Sequence, residues 1–297
     1  RKELIQSMIE RLAIVGAGLI GGSLGLALKE NGFAKTIVGV GRGISNLKTA
    51  LEKGAIDFFD TDVARACTDA DLVVVASALS ASGEVFNNIA DVLSDKAVIT
   101  DVGSVKQSII EEARLSLGSS FPRFVPGHPI AGTEKSGAAA AFGELFLDHK
   151  VVLTPLSETE DSAVRLVEEM WVATGARVRR MAPKAHDELL AATSHLPHVV
   201  AYNLVDVIAN GDSVSPFLEF TGGGFRDLTR IAESSAEMWT EIVFANREEV
   251  LVIGRRFEKA LSRLLDALED QDCEAIHSLF QRAQSARKKL SVPESNG

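Results

Sequence analysis

Gly16, Gly18 and Gly21 follow directly on the apolar run Leu12-Ala13-Ile14-Val15, and nothing else in the chain narrows its fold as much. A helix-like segment runs from there to about Asn31, Gly32 stops it, and Thr36-Ile37-Val38-Gly39-Val40 reads as a second apolar strand. Strand, glycine turn, helix and strand within about 30 residues is the context in which G-x-G-x-x-G points to a dinucleotide. Gly16 permits the tight turn, Gly18 lets the backbone approach a pyrophosphate, and Gly21 lets the helix sit close to the sheet. The N-terminus of that helix then faces the phosphates. Gly16, Gly18, Leu19, Ile20 and Gly21 are therefore the candidate cofactor-binding residues. The competing reading is a glycine-rich turn in some other α/β fold.

The acidic residue that would bond a ribose diol at the end of the second strand is missing. The chain reads Val40-Gly41-Arg42-Gly43-Ile44-Ser45-Asn46 at that point. Without a carboxylate there is room for a 2′-phosphate, which Arg42 and Ser45 could bind. The cofactor, NAD or NADP, is tilted toward NADP, although a surface arginine on a loop needs no ligand. Residues 71–76 and 97–101 fit further parallel strands covered by helices. Just after them, Ser104 and Gln107 have the spacing of a helix capping box. Ser104 also lies past the carboxyl end of a strand, where ligands sit in such sheets. A cap alone and a cap that also meets ligand stay equally open.

With 297 residues the chain has room for two domains, and 46% hydrophobic with 24% charged residues describes an ordinary soluble globular protein. A formal net charge of -10 argues against a non-specific nucleic-acid binder, and the basic runs Arg255-Arg256 and Arg287-Lys288-Lys289 read as solvated helix faces. Two distant cysteines, Cys67 and Cys273, make neither a disulfide framework nor a zinc site, which fits a reducing cytoplasm. No apolar run reaches the roughly 18 residues that would span a bilayer. Glu3 and Glu10 stand where a signal peptide would be apolar. The chain opens on Arg1 rather than methionine, which leaves room for upstream residues.

The stretch Gly127-His128-Pro129-Ile130-Ala131-Gly132-Thr133-Glu134-Lys135-Ser136-Gly137 places a histidine between turn-forming flanks. One reading is a polar loop with a capped end. The other is a rigid loop that holds His128 against a substrate. An imidazole near pKa 6.5 suits proton removal from an alcohol at neutral pH as hydride departs. A carboxylate-bearing substrate would want a guanidinium fork. No metal motif appears. Further on, His195 and His198 are three residues apart near one helix face, with Pro197 between them, and ordinary burial accounts for both. Arg230 could equally pair with Asp227 or Glu233.

From about Pro183 the chain reads as mostly helical. Three glycines at 222–224 predict a loop, because each would cost a helix about 1 kcal/mol. Val250, Leu251, Ile253, Phe257, Leu261, Leu264, Leu265 and Leu268 recur near helical spacing. Such a stripe is usually core, and one this long could also bury against a copy of itself. The tail from Ser291 is expected to fray.

GAGLIGGSLG, DVGSVK, GHPIAGTEKSG, SHLPH and GGGFRDLTRIA, ending in Met238-Trp239, occur in that order over roughly residues 12–245. Together they resemble the prephenate/arogenate (cyclohexadienyl) dehydrogenases of tyrosine biosynthesis. GHPIAGTEKSG followed some sixty residues later by SHLPH is far more specific than the glycine motif. The resemblance implies oxidation of the ring alcohol of prephenate or arogenate, hydride transfer to a nicotinamide and loss of the ring carboxylate. It implies that His128 bonds the ring hydroxyl and assists its proton transfer, with Ser104 near that histidine and the nicotinamide as the second catalytic residue. Thr133, His198 and Arg230 match substrate-binding residues, the arginine taking a carboxylate. His195 gains no role from it. The family builds its dimer from the helical domain. The chain departs from the family at Val75-Ala76-Ser77-Ala78-Leu79, where relatives usually carry a proline beside the cofactor.

The expected architecture is α/β: a Rossmann-type parallel-sheet domain over residues 1–180, then an all-helical substrate and dimerisation domain over 181–290, with 291–297 as a disordered tail. Two other functions stay open. One is another two-domain dehydrogenase of the β-hydroxyacid type, which would usually place a catalytic lysine on a second-domain helix. The other is a nucleotide-sensing regulator without catalysis, which would have no use for His128.

Overall fold

The computed structural model describes residues 9–133, 135–209 and 220–290. The expected tail at 291–297 lies outside the described residues. Six parallel strands form the main sheet: β1 (Ile9–Val15), β2 (Ala34–Val40), β3 (Phe58–Asp60), β4 (Leu72–Val75), β5 (Val98–Asp101) and β6 (Phe124–Val125). Their order is β3-β2-β1-β4-β5-β6, the doubly wound arrangement of dinucleotide-binding folds. Val15 pairs with both Val40 and Val75, so the sheet is in register at the carboxyl ends of its three central strands.

The central strands are mostly apolar and buried because both faces are covered, and alternate residues feed two cores. Leu12, Ile14, Leu72 and Val74 join one core with α1 (Leu19–Glu30), α2 (Ile44–Glu52) and α6 (Asp161–Ala173), where Trp171 is fully buried. Ala13, Val15, Val73 and Val75 join the other with α3 (Val63–Cys67), α4 (Ser82–Ala90) and α5 (Gln107–Ser116). A second sheet was not expected. In it β8 (Lys150–Leu153) lies between β7 (Gly127–Pro129), which is antiparallel to it, and β9 (Arg177–Arg180), which is parallel.

From Pro183 the described residues are helical, in α7 (Pro183–Leu190), a π-turn (Ala191–His195), α8 (Leu196–Ala209) and later helices. The expected loop at residues 222–224 is corrected. Gly222 is the N-cap of helix Gly223–Thr229, so Gly223 and Gly224 form its first turn. First-turn residues lose no internal N–H bond to begin with, and the helix packs on α8, which outweighs propensity.

Contacts divide the chain into a unit up to Arg247 and a second from Glu248 onward. The second unit contains most of helix Arg247–Glu269 and all of Cys273–Leu290, and its Leu251, Phe257, Leu261, Leu265 and Leu268 are exposed. Cys67 is buried, Cys273 is exposed, and both are free thiols. Among the described residues no helix is long and apolar enough to cross a membrane, and no cluster suits a metal ion.

Candidate active site

Strand order reverses between β1 and β4, and the glycine motif opens there. Gly16 has φ +102°, and a Cβ on it would lie 2.4 Å from the carbonyl oxygen of Ala76. Only glycine fits. A Cβ on Gly21 would meet the Gly16 carbonyl oxygen at 2.2 Å, which lets α1 start close against the strand it follows. Gly18, the N-cap of α1, faces open space, and neither a side-chain cap nor a first-turn acid competes for the helix's free N–H groups. These residues fit the pyrophosphate of a dinucleotide. Leu19 and Ile20 form the first turn and pack partly on the core. Arg42 is exposed between β2 and α2, and Ser45 is exposed in the first turn of α2. Neighbouring Asn46 is occupied, bonding the carbonyl of Ala17 (2.9 Å) and the amide of Ala138 (2.7 Å).

His128 lies on a strand and not on a loop. Gly127–Pro129 pairs antiparallel with β8, His128 opposite Val152, and the loop begins only after it. Pro129 is tolerated because β7 is an edge strand. Asp101, at the carboxyl end of β5, ties this strand down: its carboxylate accepts the amides of Gly127 (3.0 Å) and Gly103 (2.7 Å). One side chain thus holds the residue before His128 and the residue before Ser104. The ammonium of Lys106, fully buried, bonds the Asp101 carboxylate and the Gly127 carbonyl (2.6 Å). Burial pushes the Lys106 pKa down, against the pull of Asp101.

The Nδ1 of His128 is 2.9 Å from Nε2 of His186, whose own Nδ1 is 2.7 Å from the Asp187 carboxylate. Asp187 accepts two further bonds, from the amides of Lys106 and Gln107, both 2.8 Å. Burial would raise the Asp187 pKa, but the bonds from His186, Lys106 and Gln107 outweigh it and leave it lowered. Asn246 extends the network, donating to the Asp187 carbonyl (2.9 Å) and to Nδ1 of His195 (3.0 Å). Burial, then Lys106, His186 and His195, hold the His128 pKa well below its usual value. Burial likewise pushes His195 down to about 4. His128 is therefore a neutral ring, able to take a proton, in a water-poor cluster.

The capping box at Ser104 is corrected. Helix α5 starts at Gln107, two residues later than that spacing requires, and the Asp187 carboxylate of α7 bonds the amides at its start. Ser104 is half-buried. Just before Pro197, which has no N–H to offer the carbonyl of Thr193, the chain widens into the π-turn Ala191–His195. His198 Nδ1 donates to the Ser194 carbonyl (2.8 Å), and its ring stacks on Trp239 at 3.4 Å between centroids. The same tryptophan meets the edge of buried His195 at 6.1 Å, so His198 connects to the His128 cluster through Trp239 and His195. Arg230 is exposed and opens the turn Arg230–Glu233, which packs on α8, the helix of His198. Thr133 is exposed and bonds the backbone of Lys135, with no bond in common with the histidines.

Two family models match the chain in succession, the nucleotide-binding domain of prephenate dehydrogenase over residues 24–180 and its dimerization domain over 182–282. The chain belongs to the prephenate dehydrogenase family. It is 34% identical to cyclohexadienyl dehydrogenase of Zymomonas mobilis over 290 residues, covering 96% of this chain and 98% of that one. Prephenate dehydrogenase of Bacillus subtilis is 33% identical, over 97% of this chain and 78% of the relative. Among solved structures, prephenate dehydrogenase from A. aeolicus in complex with hydroxyphenyl propionate and NAD+ superposes with a TM-score of 0.89 at 33% identity. That match covers 96% of this chain and 100% of the other.

Reading the sequence of this prephenate dehydrogenase family member missed Asp101, Lys106, His186, Asp187 and Asn246. Asp101 and Lys106 were in view, as the first and last residues of DVGSVK. His186-Asp187 falls in the stretch from about Pro183 that reads only as helical. A signal existed there, since a histidine and an acid are adjacent on an amphipathic segment, but nothing local says that both are buried.

Proposed function

We propose that this chain oxidises prephenate to 4-hydroxyphenylpyruvate, and also arogenate to tyrosine, with hydride transfer to NAD or NADP. The observation that carries this is His128: a neutral, buried imidazole beside the carboxyl ends of β4 and β5, where ligands of doubly wound sheets bind. The names of the Z. mobilis, B. subtilis and A. aeolicus relatives support the substrate class. The residues holding the cofactor would be Gly16, Gly18, Leu19, Ile20 and Gly21, and the nicotinamide, when bound, accepts a hydride. His128 takes the hydroxyl proton as hydride leaves the carbinol carbon, relieving the positive charge that develops there. The resulting ring ketone then loses its carboxylate as carbon dioxide and becomes aromatic as its oxygen regains a proton. Ser104 assists beside His128, while Thr133, His198 and Arg230 bind substrate.

A division into a dinucleotide-binding domain over residues 1–180 and a helical substrate and dimerisation domain over 181–290 fits the end of β9 at Arg180 and the start of α7 at Pro183. A homodimer through the helical region fits the exposed Leu261, Leu265 and Leu268 stripe, and a cytoplasmic setting fits the free thiols. Steady-state turnover of both substrates with both nicotinamides tests the reading, which fails if neither substrate is turned over. Arg42 and Ser45 are assigned to the 2′-phosphate, so NADP should be used detectably. Arg42→Ala should raise the KM for NADP more than that for NAD. Equal weakening would return Arg42 to the surface, and complete rejection of NADP by the wild type would end the NADP tilt.

Arg230 is assigned to a substrate carboxylate. Losing a bidentate guanidinium clamp on an anion costs several kcal/mol, roughly 2–3 for each charged bond set. Arg230→Ala should raise the substrate KM strongly and leave nicotinamide saturation nearly unchanged, with Arg230→Lys restoring only part. A folded Arg230→Ala enzyme with wild-type saturation and turnover would take the residue out of the site.

A further inference from the structure

We propose that His186 is a positioning residue that fixes the tautomer of His128, with Asp187 anchoring the far end, so that Nε2 of His128 is the bare nitrogen that receives the proton. This rests on His128 being the base.

The argument follows protons along one chain of bonds. The Asp187 carboxylate already accepts from Lys106 N and Gln107 N at the start of α5, where helix N–H groups favour an anion. It can only accept from His186 as well, so the hydrogen in that 2.7 Å bond sits on His186 Nδ1. On an imidazole whose Nδ1 holds the ring hydrogen, Nε2 carries the lone pair. The 2.9 Å contact then takes its hydrogen from His128 Nδ1. A neutral His128 with its proton on Nδ1 has its lone pair on Nε2. His186 and Asp187 are fully buried, so water does not substitute for either partner and the direction is set from the Asp187 end.

The same chain serves the protonated state. When the substrate O–H bond breaks and Nε2–H forms, His128 becomes a cation that burial and the nearby charge of Lys106 oppose. Its Nδ1–H is already bonded to His186, whose opposite N–H is bonded to an anion. The new charge is spread toward Asp187. A histidine pair serving only to fill space would not need both nitrogens of the inner ring engaged.

The wild-type protein labelled with 15N at histidine reads this directly. At alkaline pH His128 should show a protonated Nδ1 and a bare Nε2, and in His186→Ala the proton should move largely to Nε2, as in a free imidazole. The same variant should lose roughly 10- to 100-fold in kcat, part of what a positioned base supplies, with KM changed by less than about twofold. His186→Gln should recover much of that, since its amide can accept from His128 and donate to Asp187. Should His186→Ala not fold, the wild-type spectrum and the glutamine variant decide. A wild-type His128 protonated at Nε2, or a His186→Ala enzyme with unchanged kcat, overturns the positioning role and leaves the base assignment standing. Unchanged turnover in His128→Ala does the reverse: it removes the base and leaves the tautomer measurement intact.

Discussion

His128→Ala is expected to cut turnover by about 10²–10⁴-fold, the range a positioned acid–base group supplies, with substrate and nicotinamide saturation changed far less. The size of the effect follows from how the ring is held. Strand pairing sets its backbone opposite Val152, and the Asp101 carboxylate fixes the amide just before it. Burial keeps the ring neutral, so it is competent before substrate arrives. His128→Asn should fall as far as alanine, because an amide fills the space but does not take a proton at neutral pH. The strand itself should survive both changes, since its pairing is made by the backbone. A variant that keeps more than about half of wild-type turnover would sink the assignment.

The parts of this fold legible in the sequence are those whose pattern is local. Strands β1, β2, β4 and β5 are buried on both faces and read as apolar runs, and the Gly16 turn announces itself because no other residue fits. Strands β7 and β9 escaped notice for the opposite reason. Gly-His-Pro carries no strand pattern, and Arg-Val-Arg-Arg is an edge whose three arginines are exposed. The site divides in the same way. His128 and His198 stand in recognisable motifs, but the groups that act on His128 lie outside its motif, His186 being 58 residues away. A lysine and an aspartate at a strand–helix junction look like surface residues until tertiary packing closes over them. That is why Lys106 and Asp101, the two ends of DVGSVK, do not stand out in the sequence.

Asp101→Asn is expected to lower stability by about 3–5 kcal/mol, the cost of leaving a buried charge without its partner. The side chains of Asp101 and Lys106 are both fully buried. The carboxylate accepts from three donors at once: Lys106 Nζ, Gly103 N and Gly127 N. An asparagine of the same shape has one accepting oxygen, and its amide hydrogens would point at another donor. The damage should therefore far exceed that of an isosteric change at a surface pair, which is worth about 0–1 kcal/mol. Urea unfolding followed by tryptophan fluorescence suits the test, because Trp171 and Trp239 both lie in the unit that ends at Arg247. Lys106→Met added to Asp101→Asn should restore part of the loss by removing the stranded cation, a coupling that a double-mutant cycle measures. Activity should not return with it. The amides next to Ser104 and His128 would still lack their common anchor, so the double variant should fold better than Asp101→Asn and still turn over slowly. An Asp101→Asn protein within about 1 kcal/mol of wild type would mean that the carboxylate is not the tie between the strand of His128 and the turn of Ser104.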